Sequence, residues 1–571
     1  MEHKLAKIFV RQQDPIRMVL KKLTANKTDR DLPPGIALVV DGGEKLLGIV
    51  TNGDIRRAFA AGVGVRDPVV KAMNRSPSVI EKPPNRTEVL SLVFDKIRAG
   101  EWPKDRLEKI IIVDDRRRVL DLASFYDLVR SSDVRFKHIG VVGLGYVGLT
   151  LGLTLADVGF TVNGIDASPD VMRSIVKGKP HFFEAGLTQL LKDHLGARFR
   201  AVDSFRKENN CDVYFIAVGT PLGTGYKPDL KYLSSAVQSV GRVLKPGDAV
   251  ILRSTVPIGT TRNVAAPILE KESGLKAGEG FLLAFAPERT AEGKALEELR
   301  VLPQVIGGLN RASSDLAANI FAFLTLSTVL VDSLEAAEMV KLVNNTYRDV
   351  TFGFANEVSL VAKHWGIDGK SVIDAANYGY QRSRIPAPSP GVGGYCLEKD
   401  PFIFIQSAKA KGYEPLLVPA ARKISDRMVE RVAADVSAFL KARVPAGKNP
   451  KILILGFAFK GEPLTSDVRG STAIALVQRL RSLGRPLFFG FDPAVRKDDV
   501  ARDRVNLVRD PQAGFKNADA VIVMNNNRAF AELDVRSLLA KSSRPVLFFD
   551  SWALYNREEI EKVKGAEYRR L

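Results

Sequence analysis

Short runs of consecutive apolar residues, each closed by a glycine, a hydroxyl or an acid, recur along the chain and predict buried strands joined by tight turns. Gly35 to Val40, a Gly-Gly turn and Leu46 to Val50 read as a strand pair, after which Thr51-Asn52-Gly53-Asp54 opens a helix. The succession returns with a strand from Lys109 to Val113, a charged turn, a strand from Val119 to Ala123 and Ser124-Phe125-Tyr126-Asp127, about seventy residues later. An internal repeat predicts two units that share one interface.

From Lys137 the pattern changes. A buried strand to Val142 runs into Gly143-Leu144-Gly145-Tyr146-Val147-Gly148, an apolar helix ends near Val158-Gly159, and a strand from Thr161 to Ile165 stops at Asp166. Strand, glycine-rich turn, helix, strand and acid in this order predict a dinucleotide site: the glycines admit a pyrophosphate at a helix N-terminus, and the acid meets a ribose hydroxyl, which selects NAD over NADP. Ile139 to Ala156 carries no charge over eighteen residues, but glycines punctuate it at Gly143, Gly145, Gly148 and Gly152, so strand, turn and buried helix account for it better than a membrane span. Strands over 212–218 and 249–252 end in Gly219-Thr220-Pro221 and Ser254-Thr255-Val256-Pro257. Thr220 and Thr255 therefore fall at the carboxyl edge of a parallel sheet, where ligands bind.

Glu335 to Lys363 has a helical period, with Ala336, Met339, Val340, Val343, Tyr347 and Val350 recurring on it. Lys341 and Asn345 stand four apart and share a face; the pattern alone reads them as exposed polar residues of an amphipathic helix. Beyond Ala446-Gly447-Lys448-Asn449-Pro450, a plausible boundary, strands from Lys451, Pro486, Ala520 and Pro545 predict a second parallel sheet.

Composition narrows the class. The 571 residues are 45% hydrophobic and 26% charged, enough for several cores. Two cysteines are too few for a disulfide framework, and the charged N-terminus lacks an apolar signal region, so a reducing, cytoplasmic setting is expected. The formal charge is +19 without a basic tail, with 26 Lys and Arg against 19 Asp and Glu in residues 1–135. This favours acidic ligands and calls for no nucleic-acid partner. Cys211 has no partner motif and is expected to be structural, and no metal site is expected.

Gly393-Gly394-Tyr395-Cys396-Leu397-Glu398-Lys399-Asp400-Pro401 concentrates the chemistry. Glycines let a substrate approach the sulfur, a nearby cation favours a thiolate, and the carboxylate can steer a water.

In order along the chain, Gly143–Gly148, Ala286-Pro287-Glu288-Arg289-Thr290-Ala291-Glu292-Gly293, Lys341–Arg348 and Gly393–Pro401 resemble the motifs of the nucleotide-sugar 6-dehydrogenases, the UDP-glucose/GDP-mannose dehydrogenase family. The resemblance runs from Phe136 to the C-terminus. It implies an α/β protein with two Rossmann-like doubly wound domains joined by a helical middle: NAD binding over 136–330, a dimerising middle over 331–445, and UDP-sugar binding over 446–571. Its activity is a four-electron oxidation of a C6 alcohol to a carboxylate with two NAD⁺. Cys396 is then the nucleophile, Lys341 and Asn345 stabilise oxyanion charge or shuttle protons, and Asp400, Glu288 and Thr255 manage the hydrolytic water. Tyr146, Val147, Arg173, Thr220, Thr255 and Arg469 join the glycines and Asp166 at the cofactor. Arg289, Glu292, Lys341, Asn345, Arg382 or Arg384, Gly393 and Lys460 face the substrate.

Two features depart from the family pattern: Asp550-Ser551-Trp552-Ala553 stands where members often carry an arginine, and Arg382-Ser383-Arg384 offers two candidates for one. Pro287–Thr290 and Asn345–Asp349 look like the UDP-N-acetylhexosamine branch, whereas Glu398-Lys399-Asp400 looks like the UDP-glucose and GDP-mannose branches. UDP-N-acetylglucosamine or UDP-N-acetylmannosamine is favoured, with UDP-glucose or GDP-mannose as alternatives. Residues 10–130 resemble a cystathionine-β-synthase-type (CBS) pair, making 1–135 an α+β regulatory module. There Thr51, Asp54, Ser124 and Asp127 would meet an adenine nucleotide, or simply cap helices. A homo-oligomer, dimeric or larger, is implied. Two rivals remain: a two-electron β-hydroxyacid-type dehydrogenase, and a nucleotide-sensing protein without turnover.

Overall fold

The computed structural model describes residues 4–25, 35–81, 92, 96, 109–123, 138–206, 211–325, 327–382, 384–445, 447–481 and 486–571. It divides into two compact units, residues 1–137 with 319–326, and residues 138–318 with 327–571.

In the first unit, β1 (Phe9–Val10), β2 (Ile36–Val40) and β3 (Leu46–Thr51) form one small sheet, and β4 (Val79–Glu81), β5 (Ile110–Val113) and β6 (Val119–Ala123) another. Each pairs its first two strands in parallel and its last two antiparallel. The register shifts between Val39 and Val40 in one sheet and between Ile112 and Val113 in the other. Asp41 accepts the amides of Gly43 and Lys45, as Asp114 accepts those of Arg116 and Arg118. Leu38, Val40, Ile111 and Val113 share one core, so the sequence repeat is also a structural repeat. Ser124 and Asp127 lie outside the described residues.

The second unit holds two larger sheets. One has eight strands: β7 (His138–Val142), β8 (Thr161–Ile165), β9 (Phe199–Ala201), β10 (Val213–Ile216), β11 (Ala249–Leu252), β12 (Leu282–Phe285), β13 (Gln304–Gly308) and β14 (Thr328–Val331). Their spatial order is β14-β13-β12-β11-β10-β7-β8-β9, parallel except at β12–β13. The central strands β10 and β11 are buried throughout and β7 is buried from Ile139 on, which is why they read as apolar runs. The other sheet is wholly parallel, β17 (Asn506–Leu507), β16 (Leu487–Phe491), β15 (Lys451–Leu455), β18 (Ala520–Val523), β19 (Val546–Asp550) and β20 (Ala566–Arg570) in that order. Between the sheets in sequence run the central helix Leu334–His364 and the helix Leu417–Arg443, which pack on each other. Among the described residues, no helix is long and apolar enough to cross a membrane.

The central helix corrects one expectation. Its period is helical, but its phase is inverted: Met339, Val343 and Tyr347 are exposed, while Glu338, Lys341, Asn345, Thr346 and Asp349 are buried. Lys341 and Asn345 retain 8% and 3% of their accessible surface, so they are not the solvent-facing residues that the pattern suggested. Burying a charge is costly unless it is paired, and here Asp349 pairs with Arg422 at 2.6 Å.

Candidate active site

The turn after β7 is shaped for a dinucleotide. A Cβ at Gly148 would lie 1.8 Å from the carbonyl oxygen of Gly143, so the helix Tyr146–Asp157 approaches its strand only because residue 148 is glycine. Gly145, in contrast, has nothing within 4 Å of its would-be Cβ, leaving space beside the helix N-terminus. Asp166, just past β8, accepts the amides of Leu144 and Ser168 at 2.8 Å each; it braces the turn and keeps lone pairs for a ribose. These residues fit NAD.

Tyr146 and Val147 are half-buried at the start of that helix. The phenol of Tyr146 donates to buried Glu184 at 2.5 Å, and Glu184 also accepts the amides of Gly293 and Ala295. The dinucleotide turn is thereby tied to the segment bearing Glu292.

Cys396 sits in the turn preceding the helix Asp400–Lys409, with the Asp400 amide donating to its carbonyl at 2.8 Å. Gly393 and Gly394 let this turn meet the second sheet's loops: a Cβ at Gly393 would stand 2.4 Å from the Gly470 carbonyl oxygen, and one at Gly394 2.6 Å from the Phe459 ring. A hydrogen-bond chain then joins three parts of the fold. Thr220 Oγ1 donates to the Thr255 carbonyl (2.5 Å), Lys399 Nζ donates to Thr220 Oγ1 (3.2 Å) and pairs with Asp400 (3.0 Å), and Asn345 Nδ2 donates to Asp400 (2.5 Å). Arg348 completes it by donating to Asn345 Oδ1 at 2.6 Å. The edge of the first sheet, the cysteine turn and the central helix are thus linked by side chains.

The sulfur's electrostatics overturn one expectation. Cys396 is reached by solvent, yet the protein around it pushes its thiol pKa up, Asp400 adds to the rise, and Lys341 and Lys399 only partly oppose it. The nearby cations therefore do not make a resting thiolate.

Glu288 is also held otherwise than a water-handling base requires. Burial works to raise its carboxyl pKa, but the Arg253 charge and the Thr290 amide outweigh it and hold the group below its ordinary value. Arg253 donates to one oxygen at 2.5 Å, and the amides of Arg289 and Thr290 donate to the other. With its pKa held down in this way, Glu288 makes a poor proton acceptor. Glu292 differs: burial and neighbouring Asp467 push it up to about 7 against Arg469 and Lys460. Lys460 Nζ donates to the Glu292 carbonyl at 2.9 Å, Arg469 lies 3.7 Å from its carboxylate, and the Arg469 guanidinium is 4.8 Å from the Tyr395 ring centre.

Other expected residues stand apart. Arg289 donates to the Pro303 carbonyl, and Arg173 pairs with Asp170 on its own helix. Arg382 and Arg384 are exposed, and among the described residues no hydrogen bond or ion pair joins either to the chain around Asp400. In the first unit, Thr51 and Asp54 form a reciprocal capping box, the bland alternative for that pair. Sequence reasoning missed Lys399 as a network member, Arg253, Glu184 and Glu338. Lys399 had left a signal as the cation beside Asp400, and so had Glu338, standing three residues before Lys341 on the helical face it shares with Asn345.

Comparison with known proteins agrees with this geometry. Residues 137–325, 335–427 and 453–557 match the NAD binding, central and UDP binding domains of the UDP-glucose/GDP-mannose dehydrogenase family. The chain belongs to that family. It is an NAD-dependent nucleotide-sugar dehydrogenase. The UDP-N-acetyl-D-mannosamine dehydrogenase of Pyrococcus horikoshii is 33% identical over 72% of this chain and 94% of its own. The NDP-N-acetyl-D-galactosaminuronic acid dehydrogenase of Ralstonia nicotianae is 30% identical over 72% of this chain and 96% of its own. Among solved structures, the UDP-D-ManNAc dehydrogenase of Pyrococcus horikoshii superposes with a TM-score of 0.68 at 31% identity, covering 76% of this dehydrogenase and 98% of that chain.

Proposed function

We propose that this dehydrogenase oxidises the C6 alcohol of a UDP-N-acetylhexosamine, UDP-N-acetylmannosamine first among them, to the uronic acid through a covalent adduct on Cys396. What carries the reading is the side-chain chain from Thr255 through Thr220, Lys399 and Asp400 to Asn345, arranged around a solvent-open sulfur. Relatives that bear the names of N-acetylhexosamine enzymes support the sugar.

NAD at the Gly143–Gly148 turn would supply the hydride acceptor, two molecules for each alcohol converted. The protein groups do the rest. Lys341 and Asn345, on one buried face, hold negative charge developing on the C6 oxygen. The Cys396 sulfur adds to the aldehyde carbon as its proton leaves, giving a thiohemiacetal; the second oxidation makes a thioester. Water then attacks the thioester carbonyl, the C–S bond breaks, and the sulfur is regenerated. Because the resting thiol is protonated, a base is needed, and Asp400, braced by Asn345 and Lys399, is the group for that proton, for the hydroxyl proton released with each hydride and for the water's, each passed on to solvent before the next step. We assign Thr255 to the cofactor edge and leave Glu288 to Arg253. Lys460, Arg469 and Glu292 hold the nucleotide-sugar end.

Cys396→Ser is expected to abolish uronic acid formation with NAD affinity within about 3-fold of the wild type, since a hydroxyl lacks thiolate nucleophilicity. Incubating the enzyme with UDP- and GDP-sugars and NAD⁺ while counting NADH per acid tests the reaction. Two NADH per acid supports it; one NADH per carbonyl product, or undiminished turnover by the serine variant, sinks it.

The same reading covers the remaining parts. Residues 136–330, 331–445 and 446–571 serve the cofactor, pairing with another copy, and the UDP-sugar, and pairing uses the apolar stripe of the central helix. Residues 1–135 are taken as a CBS-type pair; its support is the repeated sheet with matched register shifts and matched aspartate turns. Titrating the full chain calorimetrically with ATP and AMP checks this, and the absence of heat removes nucleotide sensing.

A further inference from the structure

Glu338 lies one turn before Lys341 on the central helix and retains 1% of its surface. Its carboxylate accepts three hydrogen bonds from one short segment: the amide of Gly259 (2.5 Å), the amide of Thr261 (2.7 Å) and the Thr261 hydroxyl (2.6 Å). That segment opens the helical run that begins at Thr261 and continues through Ala266–Ser273, and it follows directly on Ser254-Thr255-Val256-Pro257 at the end of β11. A second tie lies beside it, because the Ile258 amide donates to Ser407 Oγ at 3.2 Å. Ser407 belongs to the helix that starts at Asp400. The loop leaving Thr255 is therefore held by the two helices that carry Lys341, Asn345 and Asp400.

Three donors converging on one side chain call for a carboxylate. The isosteric amide would present an N–H group to at least one of them, leaving buried donors facing each other. With almost no surface, Glu338 has nothing to offer a substrate or cofactor. What it fixes is the spacing between the end of β11 and its own helix.

We propose that Glu338 is a positioning residue for dehydrogenation: it holds the Thr255 loop in register with Lys341 and Asn345, and Ser407 supports it from the Asp400 helix. This rests on the reading of Thr255 as a group of the cofactor edge and of Lys341 and Asn345 as groups of the reacting site. Misplacement by about 1 Å is enough to lose about two orders of magnitude in rate, so such a tie matters even without contact to the reacting atoms.

The test is a double-mutant cycle between Glu338→Gln and Thr255→Ala, read as the single-turnover rate of NADH formation per NAD-binding site, which is insensitive to the fraction folded. Glu338→Gln is expected to slow that rate about 30-fold with both KM values within about 3-fold, yet to slow Thr255→Ala less than about 3-fold further, because the residue it positions is already gone. Ser407→Ala, a milder change that keeps the carboxylate, is expected to follow the same non-additive pattern with a smaller loss. A rate within 2-fold of wild type for Glu338→Gln and Ser407→Ala, or losses that multiply with Thr255→Ala, would overturn the proposal. If Glu338→Gln does not fold, the Ser407→Ala cycle decides alone. Should Thr255→Ala by itself leave the rate intact, the assignment of Thr255 is what fails, and the positioning role falls with it.

Discussion

The two faces of the helix Leu334–His364 are opposites. One presents Glu338, Lys341, Asn345 and Asp349 to the interior; the other presents Met339, Val343, Tyr347, Phe354 and Val361 to solvent, within an arc of about 80° at 100° per residue. A lone domain optimised for its own stability would be built the other way round, since desolvating charges is costly and exposed apolar surface gains nothing. The inversion separates two tasks on one element: the buried polar face meets Asp400, Arg422 and the Thr261 segment, and the apolar face is the one proposed to pair with another copy.

The strongest way to break this comparison is to strip the buried face of its charge. Lys341→Ala is expected to lower kcat about 10³-fold, the scale of losing a preorganised oxyanion donor. The self-association proposed for the opposite face should be unaffected, as read by sedimentation. If turnover survives, the buried lysine serves packing and the division of labour is wrong.

The converse change charges the apolar face. Tyr347 is 69% exposed and lies between Val343 and Phe354 on the stripe. Tyr347→Glu is expected to weaken self-association about 100-fold, as when a central aromatic is replaced by a charge, seen as a shift toward monomer in dilution-dependent sedimentation. Rate per site at concentrations that restore the assembly should remain within about 3-fold, because this face does not reach Asp400. Unaltered association would mean that the stripe is not where copies meet.

These two faces also mark where the chain was legible. Glycine spacing reports local backbone geometry, so the turn at Gly143–Gly148 and the strand ending at Asp166 could be placed without coordinates, and the structure has them as strand, turn, helix and strand. Periodicity gave the central helix its length to within a residue at each end, but a period carries no phase. Which side of the helix faces inward was decided by partners far away in sequence, Asp400 and Arg422. The same holds for Glu288, whose engagement with Arg253 depends on β11 lying beside β12, and for Lys399, which reaches Thr220 across 179 positions. Cations near a cysteine suggested a thiolate, but the opposing burial and the Asp400 charge are properties of packing. Ordered short-range geometry was therefore readable, and the sum of long-range fields was not.

The thiol offers the finest test of how far each face extends its influence. The protein surrounding the sulfur and Asp400 raise the Cys396 pKa, so below it the thiolate fraction climbs about tenfold per pH unit, and alkylation of Cys396 by iodoacetamide should still be accelerating at pH 9. Lys341 is the first of the groups that lower that pKa. Removing its charge in Lys341→Met should raise the thiol further and, at pH 8, slow alkylation about 3-fold, equivalent to about half a pKa unit. Tyr347→Glu puts a new negative charge on the same helix two turns from Lys341, but on the solvent side, where water and salt screen it. It should leave the alkylation rate unchanged at ordinary ionic strength. Mass-spectrometric rates for the two variants measured side by side separate the cases: a slower Lys341→Met beside an unaltered Tyr347→Glu locates the field that governs the sulfur on the buried face. Equal rates for both would mean that Lys341 does not act on the thiol at all, and that its burial beside the cysteine turn needs another explanation.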